Sequence, residues 1–446
     1  MRKLILKDSQ VVMPSRIIRA DILVEDDKIA KIAPQIEANG ADEIDCHELV
    51  ALPGLIDAHV HFRDPGMPQK ATIYSESRAA VLGGVTSFMD MPNTIPPTVD
   101  EASLNGKKAT AARDSVANYA FYLGATPDNI EEVKKADPKS VAGIKVYMGS
   151  TTGNLLLDDE SILHKMFKAA PMMVTAHCED NEIIAAKQKA AQEMYGDNIP
   201  FNMHPVIRNR DCCIKSSKLA IQTALDTGAK LHIMHLSTKE EIEILNYFAK
   251  DPLESRQISG EACIPHLFFS EGDYSRLQGF LKCNPAVKYE FDRKALIEGI
   301  KRGIITTVGT DHAPHEISVK SGSYLKCASG VTSVQYSLLA LLDLWKRGEL
   351  TLEEVVKVSS TNVAKRFNLT DRGTIEEGKK ADIVLINPIK SHTVTASDIK
   401  SLCGWSPFIN HTFRCSVTHT VVSGVLKVKD GQIVSNEAGQ PLSFDR

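Results

Sequence analysis

Val50-Ala51-Leu52-Pro53-Gly54-Leu55-Ile56-Asp57-Ala58-His59-Val60-His61-Phe62-Arg63-Asp64-Pro65-Gly66 is an apolar run that ends in two histidines, an arginine and a turn. Side chains alternate along a strand, so His59 and His61 share a face and can reach one metal ion. Arg-Asp-Pro-Gly then turns the chain and sets the Arg63 guanidinium beside those imidazoles. A cation next to a metal suits a substrate that carries a carboxylate or phosphate. A lone His-x-His pair is weak on its own. It predicts that later strands supply further ligands.

Around this run, residues 53–375 alternate short apolar strands with helical stretches. The strands are expected at 55–62, 85–91, 119–123, 143–148, 172–177, 231–236, 258–263 and 304–310, with helices such as 75–82 and 211–227 between them. Such units imply an α/β fold, a (β/α)8 TIM-type barrel, with its active site at the C-terminal strand ends. The two termini read differently. Runs 22–25 and 29–32 flank Asp26-Asp27-Lys28 as a hairpin, and 381–386, 417–422 and 425–434 continue the style, the last around Asp430-Gly431. Segments 1–52 and 376–446 are therefore expected to build one small β-sandwich domain together.

The 446 residues are 43% hydrophobic and 24% charged, with a net charge of -4. That composition supports a large core and carries no basic nucleic-acid footprint. The opening Met1-Arg2-Lys3-Leu4-Ile5-Leu6-Lys7-Asp8 breaks into charge before a signal core forms, and no apolar run is long enough to span a membrane. The nine cysteines include no Cys-x-x-Cys and read as buried thiols in a reducing compartment. The expectation is a cytoplasmic enzyme.

Four further strand ends carry ligand-type residues: Lys145, His177, His235 and Asp311. Imidazole nitrogen and carboxylate oxygen suit zinc, which lowers the pKa of bound water to about 7. Two zinc ions would share a bridging hydroxide and need a bridging carboxylate. A lysine carbamate, formed with CO2, could serve, and Lys145 sits in an otherwise apolar strand. The bland alternative is a lysine snorkelling outward. Strand parity places His235 on the face of Leu231 and Ile233 and turns His232 the other way, as packing or support. His164, His204, His266 and His312 read as structural or surface residues. His47, His392, His411 and His419 lie in or near the terminal domain and read as non-catalytic.

These residues resemble the amidohydrolase superfamily and, within it, the dihydroorotase group, over nearly the whole chain. The carriers are Asp57-x-His59-x-His61-Phe62-Arg63-Asp64-Pro65-Gly66, Gly309-Thr310-Asp311-His312-Ala313-Pro314-His315 and Met91-Pro92-Asn93-Thr94. The resemblance implies a first zinc on His59, His61 and Asp311, a second on His177 and His235, and carboxylated Lys145 as the bridge. It implies Asp311 as the proton carrier, and Arg63, Asn93 and His315 as the grip on a substrate carboxylate. Asn284, in Cys283-Asn284-Pro285-Ala286, resembles a substrate-contacting segment. The implied activity is zinc-dependent interconversion of N-carbamoyl-L-aspartate and L-dihydroorotate in pyrimidine synthesis. The implied partner is that small molecule, with neither nucleic acid nor membrane, and a homo-oligomer is possible. The chain departs from the group at Gly260-Glu261-Ala262-Cys263-Ile264-Pro265-His266 and at Gly330-Val331-Thr332-Ser333-Val334-Gln335. Lys145, where some relatives carry a bridging aspartate, resembles the carbamylated branch and also hydantoinases. The alternatives are a hydantoinase or allantoinase, and a non-catalytic scaffold. Residues 316–329 read either as an ordinary barrel loop or as a lid.

Overall fold

The computed structural model describes residues 2–14, 16–37, 39–149 and 154–446. Eight strands lie in chain order in one sheet: Leu55–Val60, Val85–Asp90, Asn118–Gly124, Val141–Tyr147, Val174–His177, Leu231–Ile233, Ile258–Cys263 and Ile305–Gly309. Every neighbouring pair is parallel. The first and eighth strands meet through a parallel bridge between Val60 and His312. Asp57 reinforces that seam by accepting from the Thr310 amide at 3.1 Å and its hydroxyl at 2.6 Å. The sheet is thus the expected barrel, its strands a residue or more shorter at several ends than the apolar runs suggest.

Helices cover the outside, and their starts are written locally. Thr72 caps Ile73–Leu82 and Asn209 caps Arg210–Thr227, each accepting an otherwise unpaired backbone N–H of the first turn. Inside the barrel, Ile56, Ala58, Met89, Tyr122, Ala142 and Met234 pack with Phe367, Leu442 and Phe444. The C-terminal tail closes the N-terminal ends of the strands: the Leu442 amide donates to the Tyr119 carbonyl, and the Arg446 guanidinium donates to the Ala142 carbonyl. The base is therefore plugged, and the opposite mouth is left for chemistry.

The termini form one nine-stranded sheet. Val50–Pro53 runs antiparallel to Ile383–Asn387 and sews the N-terminal strands to the C-terminal ones. Leu6, Ile22, Ile29, Ile44, Ile383, Leu385 and Val421 share a separate hydrophobic core on this sheet. Among the described residues no helix is long and apolar enough to cross a membrane.

Candidate active site

His59, His61, Arg63, Asn93, Lys145, His177, His235, Asn284, Asp311 and His315 all line one cavity of about 320 Å³ at the mouth of the barrel. Residues far apart in sequence converge because most sit at or just beyond the C-terminal end of a strand, while Asn284 comes from the long connection after Ile258–Cys263. The backbone is bent to aim them. A register shift lies between Asp57 and Val60, around the first histidine. Arg63, His235 and Asp311 have φ of 63°, 39° and 48°, a left-handed region that non-glycine residues avoid. Such conformations persist where surrounding structure fixes them, and they cluster at working sites.

His235 corrects the parity argument. The sixth strand stops at Ile233, so alternation does not extend to residue 235. Its positive φ, rather than strand parity, turns the imidazole to the cavity. His232 instead lies buried deeper in the barrel, between the Ser259 hydroxyl at 2.7 Å and the Thr307 hydroxyl at 3.1 Å. Its reading as packing stands.

Protonation decides what the histidines offer. Burial pushes His61 down to about 4 and His59 down to about 3, so both rings are neutral at pH 7. A neutral ring carries one N–H. On His61 the Asn93 Oδ1 accepts it from Nδ1 at 2.7 Å. The Nε2 lone pair then faces the Asp311 Oδ1 at 3.0 Å. His59 is tied through Nδ1 to Glu261 at 2.8 Å and presents Nε2 to the same Asp311 oxygen at 3.2 Å. Although burial opposes it, His59 and His61, once protonated at low pH, and Lys145 hold Asp311 well below the usual carboxylate range. A carboxylate oxygen and an imidazole lone pair in such contact repel, and a cation between them reverses the sign.

A second pair repeats the logic. Against the effect of burial, Arg208 holds Glu179 down at about 2, so Glu179 accepts the His177 Nε2 proton at 3.0 Å. His177 Nδ1 then faces His235 Nε2 at 2.8 Å. Lys145 lies close by, only 1% exposed, with Nζ 2.9 Å from the Met234 sulfur and 4.9 Å from the Tyr147 ring centroid. Burial lowers its pKa to about 8, and it forms no ion pair among the described residues. Imidazole nitrogens, one carboxylate and a partly neutral buried amine fit a metal centre.

The other side of the cavity is cationic. Arg63 is 7% exposed and pairs with no carboxylate among the described residues. Its Nε donates to the Pro314 carbonyl at 3.3 Å, and its Nη2 lies 3.2 Å from His315 Nε2. Burial and the nearby cations push His315 down to about 2, so its Nε2 accepts from the guanidinium. Lys70 lines the same side.

Several supports escaped the sequence reading. Glu261 and Glu179 hold His59 and His177, although each was visible as an acid in or beside an apolar strand. Trp405, from the distant C-terminal segment, donates its indole N–H to the His315 carbonyl at 2.7 Å. Tyr147 and Lys70 complete the wall. His312 is structural, as expected: Nε2 bonds Glu76 at 2.7 Å and Nδ1 accepts from the Ser333 amide at 3.1 Å. In the 316–329 loop, Lys320 donates to the carbonyls of Ala328 and Gly330 at 2.8 and 2.7 Å. Lys282 donates to those of Tyr324 and Cys327, both at 2.7 Å. The loop is thereby tethered, with Ala328 and Ser329 against the cavity. Gly330, at φ 148°, closes it, because a Cβ there would stand 2.3 Å from the Ala313 carbonyl oxygen.

The sequence model of the amidohydrolase family matches residues 50–427. The chain belongs to the amidohydrolase family. A dihydroorotase of Methanosarcina acetivorans is 31% identical over 412 residues, covering 90% of this chain and 87% of the relative. An allantoinase of Rubrobacter xylanophilus is 30% identical over 430 residues, covering 94% and 93%. Among solved structures, the L-hydantoinase (dihydropyrimidinase) from Arthrobacter aurescens superposes with a TM-score of 0.93 at 25% identity, covering 99% of this chain and 100% of that one. The barrel and the amidohydrolase membership stand together, and the family's dependence on metal agrees with the donor set at the mouth.

Proposed function

We propose that this amidohydrolase is a zinc-dependent dihydroorotase, closing N-carbamoyl-L-aspartate to L-dihydroorotate and opening it again. One observation carries the choice: a buried guanidinium, Arg63, faces the cavity beside the metal-type donors and pairs with no carboxylate among the described residues. Arginine's planar fork suits a carboxylate held by two parallel bonds. Dihydroorotate bears such a carboxylate, and hydantoin and allantoin do not.

His59, His61 and Asp311 would hold one zinc ion, His177 and His235 a second, and Lys145 the bridge. The partly neutral Lys145 amine can attack CO2, forming an N–C bond and releasing a proton to give the bridging carbamate. Bound zinc supplies a nucleophile from water at neutral pH and polarises the scissile carbonyl. Arg63 and the Asn93 Nδ2 donate to the substrate carboxylate, with His315 seating the guanidinium and Asn284 against the ring. In the opening direction Asp311 takes the proton of the attacking water and hands it to the leaving ring nitrogen. In the closing direction protonated Asp311 helps to expel water.

The hydantoinase or allantoinase reading rests on the allantoinase relative and the hydantoinase neighbour, which share the chain length and fold. Assaying the zinc-reconstituted protein with dihydroorotate, hydantoin and allantoin side by side separates the two. Turnover of dihydroorotate well above the neutral substrates is expected. Preference for a neutral ring would overturn the proposal.

A further inference from the structure

Asn93 lines the cavity and touches its metal half through His61. It follows the second strand in Met91-Pro92-Asn93-Thr94, where the Met91 amide bonds the Val60 carbonyl at 2.9 Å and the Thr94 hydroxyl bonds the Pro96 carbonyl at 2.8 Å. Those bonds fix the segment beside the His61 strand. The side-chain amide has two chemically different ends. Asn93 turns Oδ1 to His61 Nδ1 at 2.7 Å; an amide oxygen only accepts, so Nδ1 carries the proton and Nε2 is left facing Asp311 Oδ1 at 3.0 Å. Its Nδ2, with two N–H donors, is left for the cavity that Asn93 lines with Arg63.

We infer that Asn93 is a positioning residue for His61 as well as a substrate contact, and that it couples the hold on the substrate anion to the hold on the metal. Oδ1 fixes the tautomer and the ring plane of His61, as partners of metal-binding histidines do. Nδ2 binds the substrate's carboxylate. One rigid amide therefore links the two events, and coupling of this kind is reciprocal. The substrate half rests on the dihydroorotase reading above. The His61 half does not.

The two ends separate by substitution. Asn93→Asp keeps an oxygen for His61 Nδ1 but replaces the donors with an acceptor that repels a carboxylate. Asn93→Ala removes both ends. Zinc-loaded wild type and both variants are challenged with a chelator, and zinc release is followed by a colorimetric indicator. KM for dihydroorotate is measured on the same preparations, and melting curves check folding. The expected result is about 10- to 100-fold faster zinc release from Asn93→Ala, release from Asn93→Asp within about threefold of wild type, and KM raised in both. Equal release from the two variants, or wild-type release from Asn93→Ala, overturns the positioning role. Unchanged KM in Asn93→Asp overturns the substrate end and with it the coupling. Wild type that releases zinc as described yet ignores dihydroorotate sinks the proposed function, not the His61 assignment.

Discussion

The mouth of the barrel has two halves that face each other with opposite chemistry. On one side, the His59 and His61 Nε2 atoms lie within 3.2 Å of the Asp311 carboxylate, an arrangement suited to cations. On the other, Arg63 and Lys70 point N–H donors into the same space, an arrangement suited to an anion. The base of the same barrel is spent on structure: Phe367, Leu442 and Phe444 pack on apolar strand residues, and the Arg366 and Arg446 guanidinia are occupied by backbone carbonyls. The lesson is a division of labour. Under the proposed function the metal half would perform the bond chemistry and the cationic half would choose the substrate, while the base supplies stability.

Breaking the metal half should cost most. Asp311→Asn would remove the proposed proton carrier and a proposed ligand charge together, and kcat should fall about 10³-fold for acidic and neutral substrates alike. Steady-state kinetics with both substrate types, alongside zinc content, checks this. A loss confined to the acidic substrate would move Asp311 into the selective half.

The base should break differently. Phe367→Ala leaves a cavity among buried apolar side chains and should cost about 3–5 kcal/mol of stability. Denaturant unfolding reads that loss. The ratio of activities on acidic and neutral substrates should not move, because Phe367 touches neither half of the mouth.

A smaller effect sharpens the account of the metal half. Folded His61 is pushed down by burial to about 4, against about 6.5 when unfolded. Above pH 6.5 both states are neutral there. As pH falls from 6.5 to 4 the unfolded chain binds a proton that the folded one refuses, so stability is lost. The share of one ring is about 1.4 kcal/mol per pH unit. Burial raises Asp57 to about 7 and Glu261 to about 8, and these run in the opposite sense, favouring the folded state as pH falls. The zinc-free wild type must therefore be compared with zinc-free His61→Gln. The difference between their stabilities should shift by that slope between pH 6.5 and 4. Parallel profiles would mean that His61 is protonated in the fold.

Much of this was legible in the sequence, for particular reasons. The barrel showed because apolar strands, each ending in polar residues, repeat along 53–375. The cavity-lining residues showed because histidine, lysine and aspartate are conspicuous at the ends of apolar runs. The joining of the termini showed in their shared hairpin style. The aim of His235 did not, because it depends on one left-handed residue beyond a strand that stops early. Glu179 and Glu261 were visible as residues but not as partners, since hydrogen bonds to His177 and His59 depend on tertiary placement. Trp405 was out of reach, because its bond to the His315 carbonyl spans 90 residues. The tethering of the 316–329 loop was hidden as well, since polar composition gives no hint that two buried lysines bind its carbonyls.

The central claim is that chemistry and selection sit in separate halves of one cavity, with Arg63 as the selective element. Its most direct test is kcat/KM of zinc-loaded wild type and Arg63→Met on dihydroorotate and on hydantoin. Loss of the guanidinium should lower the value for dihydroorotate about 10²- to 10³-fold and leave that for hydantoin within a few-fold. Equal losses on both substrates, or near-normal kinetics on dihydroorotate, would contradict the account.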